Sequence, residues 1–248
     1  MDKEKPSVIL AAGRGKRLKE LSANKPKPLV RVNGKTILSN LIDSMIKAGT
    51  EEIVLVLGYK AELIIEHLEK YQQKVKIHYV INDIYDSTNN IYSLWLAKEY
   101  LEAGFFLYEA DVFFNHDIVE KLTTGSSENI MVIDHYENRM NGTVVSIDEN
   151  NRVKQMFLKR HQIGDFDYSD KYKTVNFYKI GRDFYQQFFK HQLENYINHN
   201  DVSYYYEAII KDGIDSGFTF EGHLTGSQKW WEIDTVEDLR ITEKIFRE

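Results

Sequence analysis

Two short apolar runs, Ser7-Val8-Ile9-Leu10-Ala11 and Glu52-Ile53-Val54-Leu55-Val56-Leu57-Gly58, constrain this fold more than any other feature of the chain. A strand with one wet face alternates apolar and polar residues, whereas a nearly continuous apolar run marks a parallel strand buried on both faces. Between the runs, Lys35 to Ala48 sets Ile37, Leu38, Leu41, Ile42, Met45 and Ile46 at helical spacing, and Gly49 stops that helix. The alternation continues with a helix over Ala61 to Tyr71, a strand over Val75 to Val80, a helix over Asn90 to Leu101, and the strand Gly104 to Tyr108 running into Glu109-Ala110-Asp111. Repeated strand–helix order of this kind predicts an α/β fold, Rossmann-like, with a mixed, mainly parallel sheet flanked by helices.

The second half changes texture. Ile130 to Asp134, Gly142 to Ile147, Val153 to Leu158 and Lys173 to Ile180 read as strands, and the polar stretch His161 to Lys171 as a loop over a site. Helices over Arg182 to Tyr196 and Ser203 to Lys211 follow, then a strand near Phe218 and a final helix from Thr235 to Phe246. No stretch has linker composition and no repeat is visible, so residues 1–248 read as one domain. With 42% hydrophobic and 28% charged residues, disorder and fibrous repeats are excluded. Zero cysteines exclude disulfides, thiolate zinc sites and cysteine nucleophiles, and fit a reducing cytoplasm. A net charge of −6 argues against non-specific nucleic-acid binding. No apolar run approaches the roughly 20 residues of a membrane span. Asp2 and Glu4 precede the first strand, unlike a secretory signal, so the expected location is cytoplasmic.

After the first strand comes Leu10-Ala11-Ala12-Gly13-Arg14-Gly15-Lys16-Arg17-Leu18. Gly13 and Gly15 would let backbone approach an anion and take positive φ, while Arg14, Lys16 and Arg17 supply cationic donors. Leu18 stands where a dinucleotide fingerprint needs glycine, and Leu10 and Arg17 break a Walker loop. Downstream, Asn24-Lys25-Pro26-Lys27-Pro28-Leu29-Val30 uses two of the chain's three prolines to hold two lysines in an extended segment.

Together these segments resemble the signature of the sugar-phosphate nucleotidyltransferase superfamily. Asn82-Asp83-Ile84-Tyr85, Asn89-Asn90-Ile91-Tyr92-Ser93-Leu94 and Trp231-Glu232-Ile233-Asp234-Thr235-Val236-Glu237-Asp238-Leu239 are similar to the cytidylyltransferases acting on phosphocholine and 2-aminoethylphosphonate. The resemblance implies a glycosyltransferase-A-like fold, with a nucleotide-binding half over about 1–125 and an acceptor and metal half over about 126–248. It implies transfer of a cytidylyl group from CTP to a small phosphate or phosphonate, with no nucleic-acid or membrane partner and a homodimer as an option. The competing expectations are a hexose-1-phosphate uridylyl- or thymidylyltransferase, against which Asn89-Asn90-Ile91-Tyr92-Ser93 argues, and a non-catalytic nucleotide-binding regulator.

Asp111 ends an apolar strand, and Glu232 and Asp234 are two apart, so on a strand they share a face. Three carboxylates without histidine or cysteine suit a hard ion, and the resemblance gives these positions to Mg²⁺. It also implies that Arg17 and Lys27 act on the triphosphate, and that Leu10, Ala11, Ala12, Gly13, Gly15, Gly58, Asn89, Asn90 and Ser93 hold the nucleotide. Asn89-Asn90 equally suits a helix cap. The acceptor candidates are Lys159, Lys173, Asn176 and Asn141, and Asn141 stands where the aminoethylphosphonate branch has aspartate. Tyr204-Tyr205-Tyr206, Trp230 and Trp231 could cage an ammonium group or simply pack. The eight histidines show no metal spacing.

Overall fold

Both apolar runs lie at the centre of one sheet. The computed structural model describes residues 5–18 and 20–247. In chain order it begins with β1 (Ser7–Ala11), α1 (Glu20–Ala23), β2 (Arg31–Val32), β3 (Lys35–Thr36), α2 (Ile37–Lys47), β4 (Glu52–Leu57) and α3 (Ala61–Leu68). Then come β5 (Lys76–Ile81), α4 (Asn90–Leu96), β6 (Phe105–Glu109), β7 (Val112–Phe114), α5 (Asp117–Thr124), β8 (Ile130–His135), β9 (Val144–Ile147) and β10 (Val153–Phe157). The chain closes with β11 (Tyr172–Ile180), α6 (Arg182–Phe184), α7 (Lys190–Asn198), α8 (Glu207–Asp215), β12 (Glu221–Leu224), β13 (Trp230–Glu232) and α9 (Val236–Ile245).

β5, β4, β1 and β6 are parallel neighbours in that order. β11 continues the sheet antiparallel to β6, and β8 and the β9–β10 hairpin both pair with β11. β12 lies parallel to β8 at the far side. The fold is therefore the mixed, mainly parallel α/β sheet that the pattern predicts. Along β1, Val8 and Leu10 enter one core while Ile9 and Ala11 enter the other, and β4 divides Val54 and Val56 from Ile53, Leu55 and Leu57. Two-sided burial is why these strands carry no polar alternation. Helix α2 covers the second core with Leu38, Leu41, Ile42 and Met45, and α4 and α8 cover the first with Ile91, Leu94, Ile209 and Ile210.

Several boundaries differ from the sequence expectation. The helix expected from Lys35 begins at Ile37, because Lys35 and Thr36 belong to a hairpin turning on Asn33 and Gly34, both at positive φ. The helix expected to Leu101 ends at Leu96 and gives way to a 3₁₀ turn over Lys98–Tyr100. The helix expected over Ser203 to Lys211 runs over Glu207–Asp215, and the strand expected near Phe218 is β12. A π turn, Tyr185–Phe189, interrupts the long helix between α6 and α7. Among the described residues no helix is long and apolar enough to cross a membrane.

Two arrangements position the site. The carboxyl ends of β1 and β6 open to one edge, where crevices form in parallel sheets. Beyond β6, β7 pairs with β13 as an antiparallel ribbon in which Val112 faces Glu232, and Ile233 N–H donates to the Asp111 carbonyl at 2.8 Å. That ribbon brings residues about 120 positions apart in sequence to one place.

Candidate active site

The loop after β1 is shaped around Lys27. Gly15 has φ +65°, and a Cβ there would stand 2.8 Å from the Lys27 Cβ, so both conformation and space demand glycine. Gly13 lacks the positive φ expected of it, and a Cβ there would meet nothing within 4 Å. It opens instead onto a cavity of about 630 Å³. Leu10, Ala11, Ala12, Gly13, Gly15, Asn89, Asn90 and Ser93 all line this cavity, together with Arg17, Lys27 and Asp111. Gly58 is not on its wall. A Cβ there would meet the Ala12 carbonyl oxygen and the Tyr85 Cβ, each at 2.7 Å, so Gly58 supports the loop from behind. Asn89 caps α4 through the Asn90 N–H, and Ser93 accepts from Asn82, a cavity-lining side chain quoted for the resemblance but given no site role from sequence.

A second cavity of about 740 Å³ adjoins the first, and Arg17, Asn90, Glu109, Asp111 and Asp234 line both. Asn141, Lys159 and Asn176 reach its wall as expected of acceptor candidates. Asn176, held at φ +63°, accepts a hydrogen bond from Thr174 Oγ1. Lys173 does not line this cavity but an adjoining one of about 370 Å³, with Arg17, Asn141, Glu232 and Asp234. It is 1% exposed, donates to the Thr174 carbonyl at 2.6 Å and lies 3.4 Å from Glu232 Oε2. Gly142 makes room for it, since a Cβ there would fall 3.2 Å from Lys173 Nζ.

At the junction of the cavities, Asp111, Glu232 and Asp234 each offer a carboxylate oxygen, all within 4.8 Å of one another. Asp111 Oδ1 is buried without a hydrogen-bond partner, a costly state that a cation would relieve. The donor set is all oxygen, so the residues fit a hard divalent ion such as Mg²⁺. Cationic side chains already surround the cluster. Lys27 Nζ lies 2.9 Å from Asp111 Oδ2 and 2.7 Å from Asp234 Oδ1, and Arg17 reaches Asp234 Oδ1 at 2.8 Å. Burial works to lower the Lys27 pKa, but Asp111, Asp234 and Glu232 outweigh it and hold it well above the ordinary lysine value. Burial pushes Glu232 up to about 7, with Lys173 opposing and Asp111 and Asp234 adding to the rise. Partial burial works to raise Asp234, yet Lys27, Arg17 and Lys173 pull it below the usual range.

A second acidic group was not legible in the sequence. Glu109 accepts from Tyr206 O–H at 2.9 Å and Asn90 Nδ2 at 3.2 Å, and Asn90 also reaches Glu207 Oε2 at 3.4 Å. Burial and the neighbouring Asp111, Glu207 and Glu232 raise Glu109 well above the carboxylate range, and burial chiefly raises Glu207. Of the five aromatics considered for a cage, only Tyr204 and Tyr205 line the second cavity. Tyr206 is buried on Glu109, Trp230 donates to Asp134 at 2.7 Å, and Trp231 faces Asp238 at 3.4 Å.

The nucleotidyl transferase family profile matches residues 6–163, well over half of the chain. The chain belongs to this family. CMP-5'-(3-aminopropyl)phosphonate synthase of Streptomyces rubellomurinus is 33% identical over 94% of the chain, which spans only 37% of that protein. The choline-phosphate cytidylyltransferase of Streptococcus pneumoniae is 27% identical, with 97% of this chain and 98% of that protein covered. Among solved structures, the CTP:phosphocholine cytidylyltransferase of Streptococcus pneumoniae superposes with a TM-score of 0.80 at 24% identity, covering 98% and 99% of the two chains, and shares the fold. The chain is thus a nucleotidyltransferase enzyme, and the loop, the carboxylate cluster and the paired cavities form its candidate active site.

Proposed function

We propose that this nucleotidyltransferase is a Mg²⁺-dependent cytidylyltransferase whose acceptor is a small phosphate or phosphonate carrying an ammonium group. The observation that carries this reading is the junction itself, where cations and carboxylates stand between two cavities sized for two small substrates. The relatives named for aminopropylphosphonate and choline phosphate support CTP and this acceptor class.

In the proposed reaction an acceptor oxygen attacks the α-phosphorus of CTP. The bond to the bridging oxygen breaks, and pyrophosphate leaves with its electron pair. The nucleophile is already anionic, so alignment and charge are the obstacles rather than proton removal. A bound Mg²⁺, held by Asp111, Glu232 and Asp234, would neutralise charge on the reacting phosphate. Amides of the Gly13–Gly15 loop and the Lys27 and Arg17 side chains line the nucleotide cavity and serve the triphosphate. Lys159 and Arg160 line the acceptor cavity and supply cationic donors for the acceptor phosphate. Glu109, Glu207 and the Tyr204–Tyr205 rings line the same cavity and suit an ammonium group, taking over the part expected of an aspartate at Asn141.

The test is pyrophosphate release with Mg²⁺, each of CTP, UTP, dTTP, ATP and GTP, and a panel of acceptors. The panel holds phosphocholine, phosphoethanolamine, 2-aminoethylphosphonate, 3-aminopropylphosphonate, glycerol phosphate and glucose 1-phosphate. Turnover is expected with CTP and an ammonium-bearing acceptor, and should fall at least 100-fold in Asp111→Asn. Turnover with UTP or dTTP and glucose 1-phosphate alone would replace this reading with a hexose-1-phosphate one.

A further inference from the structure

The carboxylate cluster is not an open cradle. Lys27 Nζ bridges Asp111 Oδ2 and Asp234 Oδ1 at 2.9 and 2.7 Å, and its side chain is only 12% exposed. Arg17 lies on the same Asp234 oxygen, and Lys173 neutralises Glu232 from behind. Three carboxylates therefore face three cations, and the field that would attract a divalent ion is largely cancelled. Lys27 and Arg17 also line the nucleotide cavity, so the side chains that cancel this field stand where a triphosphate would sit. Lys173 does not, and its partner is Glu232 at 3.4 Å.

We propose that Lys27 is an internal counter-cation that keeps divalent metal out of the cluster until a nucleotide triphosphate draws its ammonium away. The inference rests on the metal reading of the cluster and goes beyond it by fixing the order of binding. Asp111 and Asp234 engage two of the three N–H donors of Lys27, so a triphosphate that takes more than one of them must take it from a carboxylate. When the polyphosphate engages Lys27 and Arg17, Asp111 and Asp234 lose their partners, and the cluster regains its net negative charge. Metal uptake and nucleotide binding are then positively coupled, and each raises the affinity for the other by the same factor. Metal without nucleotide leaves the site idle, and nucleotide prepares the site for its own metal.

A direct metal titration separates this role from simple phosphate binding. Mn²⁺ binding is measured by electron paramagnetic resonance, without nucleotide or acceptor, on wild type, Lys27→Met, Lys27→Arg and the double variant Lys27→Met/Asp111→Asn. Circular dichroism establishes that each is folded. Lys27→Met should bind Mn²⁺ at least 10-fold tighter than wild type, Lys27→Arg should match wild type, and the double variant should lose the gain. Adding a non-hydrolysable CTP analogue, with its own Mn²⁺ chelation subtracted from protein-free controls, should tighten Mn²⁺ binding at least 10-fold more in wild type than in Lys27→Met. Equal or weaker binding by Lys27→Met, including no binding by either protein, overturns the proposal. A gain that persists in the double variant places the ion elsewhere and also overturns it. Pyrophosphate release by the wild type is a separate readout. Turnover with CTP alongside an unresponsive Lys27→Met titration would remove the counter-cation role and leave the cytidylyltransferase reading standing.

Discussion

At the residue scale the two glycines of the loop make opposite demands. Gly15 combines φ +65° with a Cβ position 2.8 Å from the Lys27 Cβ, so Gly15→Ala strains the backbone and pushes Lys27 off the carboxylates. A non-glycine residue forced into that region costs about 1–3 kcal/mol. Gly15→Ala should therefore lower the thermal midpoint and cut kcat at least 10-fold. Gly13→Ala should leave stability within about 0.5 kcal/mol, because a Cβ there meets nothing, and should instead raise the KM for CTP by crowding the cavity. Thermal melts and steady-state kinetics on the two variants check both halves, and indistinguishable variants would contradict this division. The two glycines are visible in the sequence, but their division is not. Only the path of the Lys27 stem, fixed by the Pro26–Pro28 segment, decides which of them has no room.

At the scale of elements, the ribbon and the last helix hold the cluster. Thr235 caps α9 in a reciprocal box, accepting from Asp238 N–H at 3.2 Å while Asp238 Oδ2 accepts from Thr235 N–H at 2.7 Å. Asp238 Oδ2 also accepts from the Asp234 N–H at 3.2 Å, so the cap fixes the backbone of a proposed metal ligand. Thr235→Ala should cost about 1 kcal/mol, and thus about 2–4 °C in Tm for a chain of this size. It should also lower kcat several-fold as Asp234 drifts. A calorimetric scan paired with turnover tests this, and an unchanged kcat would detach the cap from the site. This helix, like β1 and β4, was legible in sequence because a cap or an unbroken apolar run is a local signal. The β7–β13 ribbon was not, since it joins residues about 120 positions apart in a pairing that no periodicity announces. The burial of Lys173 was not legible for a related reason. A lysine within a strand reads as a solvated donor until Glu232 and Gly142 are seen beside it.

At the scale of the whole molecule, the site is an electrostatic load on a fold whose cores are otherwise apolar. Glu109 and Glu207 share one wall with Asp111 nearby, and neither is paired with a cation at salt-bridge distance among the described residues. For Glu207, burial is the largest influence and raises its pKa; its own backbone N–H, Asn90 and Lys173 oppose the rise, and Asp111 adds to it. The sign follows from linkage. Above its raised native value Glu207 is ionised in both states, and the folded state bears the full penalty. As pH falls through that value the native carboxyl takes up a proton, and the penalty fades until both states are protonated below the ordinary glutamate value. Glu207→Gln carries no such charge. Its thermal midpoint should therefore exceed that of wild type at pH 8, and the gap should narrow steadily towards pH 4.5. The same substitution should raise the KM for ammonium-bearing acceptors more than that for glycerol phosphate, since the charge that burdens the fold is the charge that an ammonium group would meet. A gap that is constant with pH would show that Glu207 acts by packing or hydrogen bonding rather than by charge. Equal KM changes for both acceptor types would remove it from ammonium recognition.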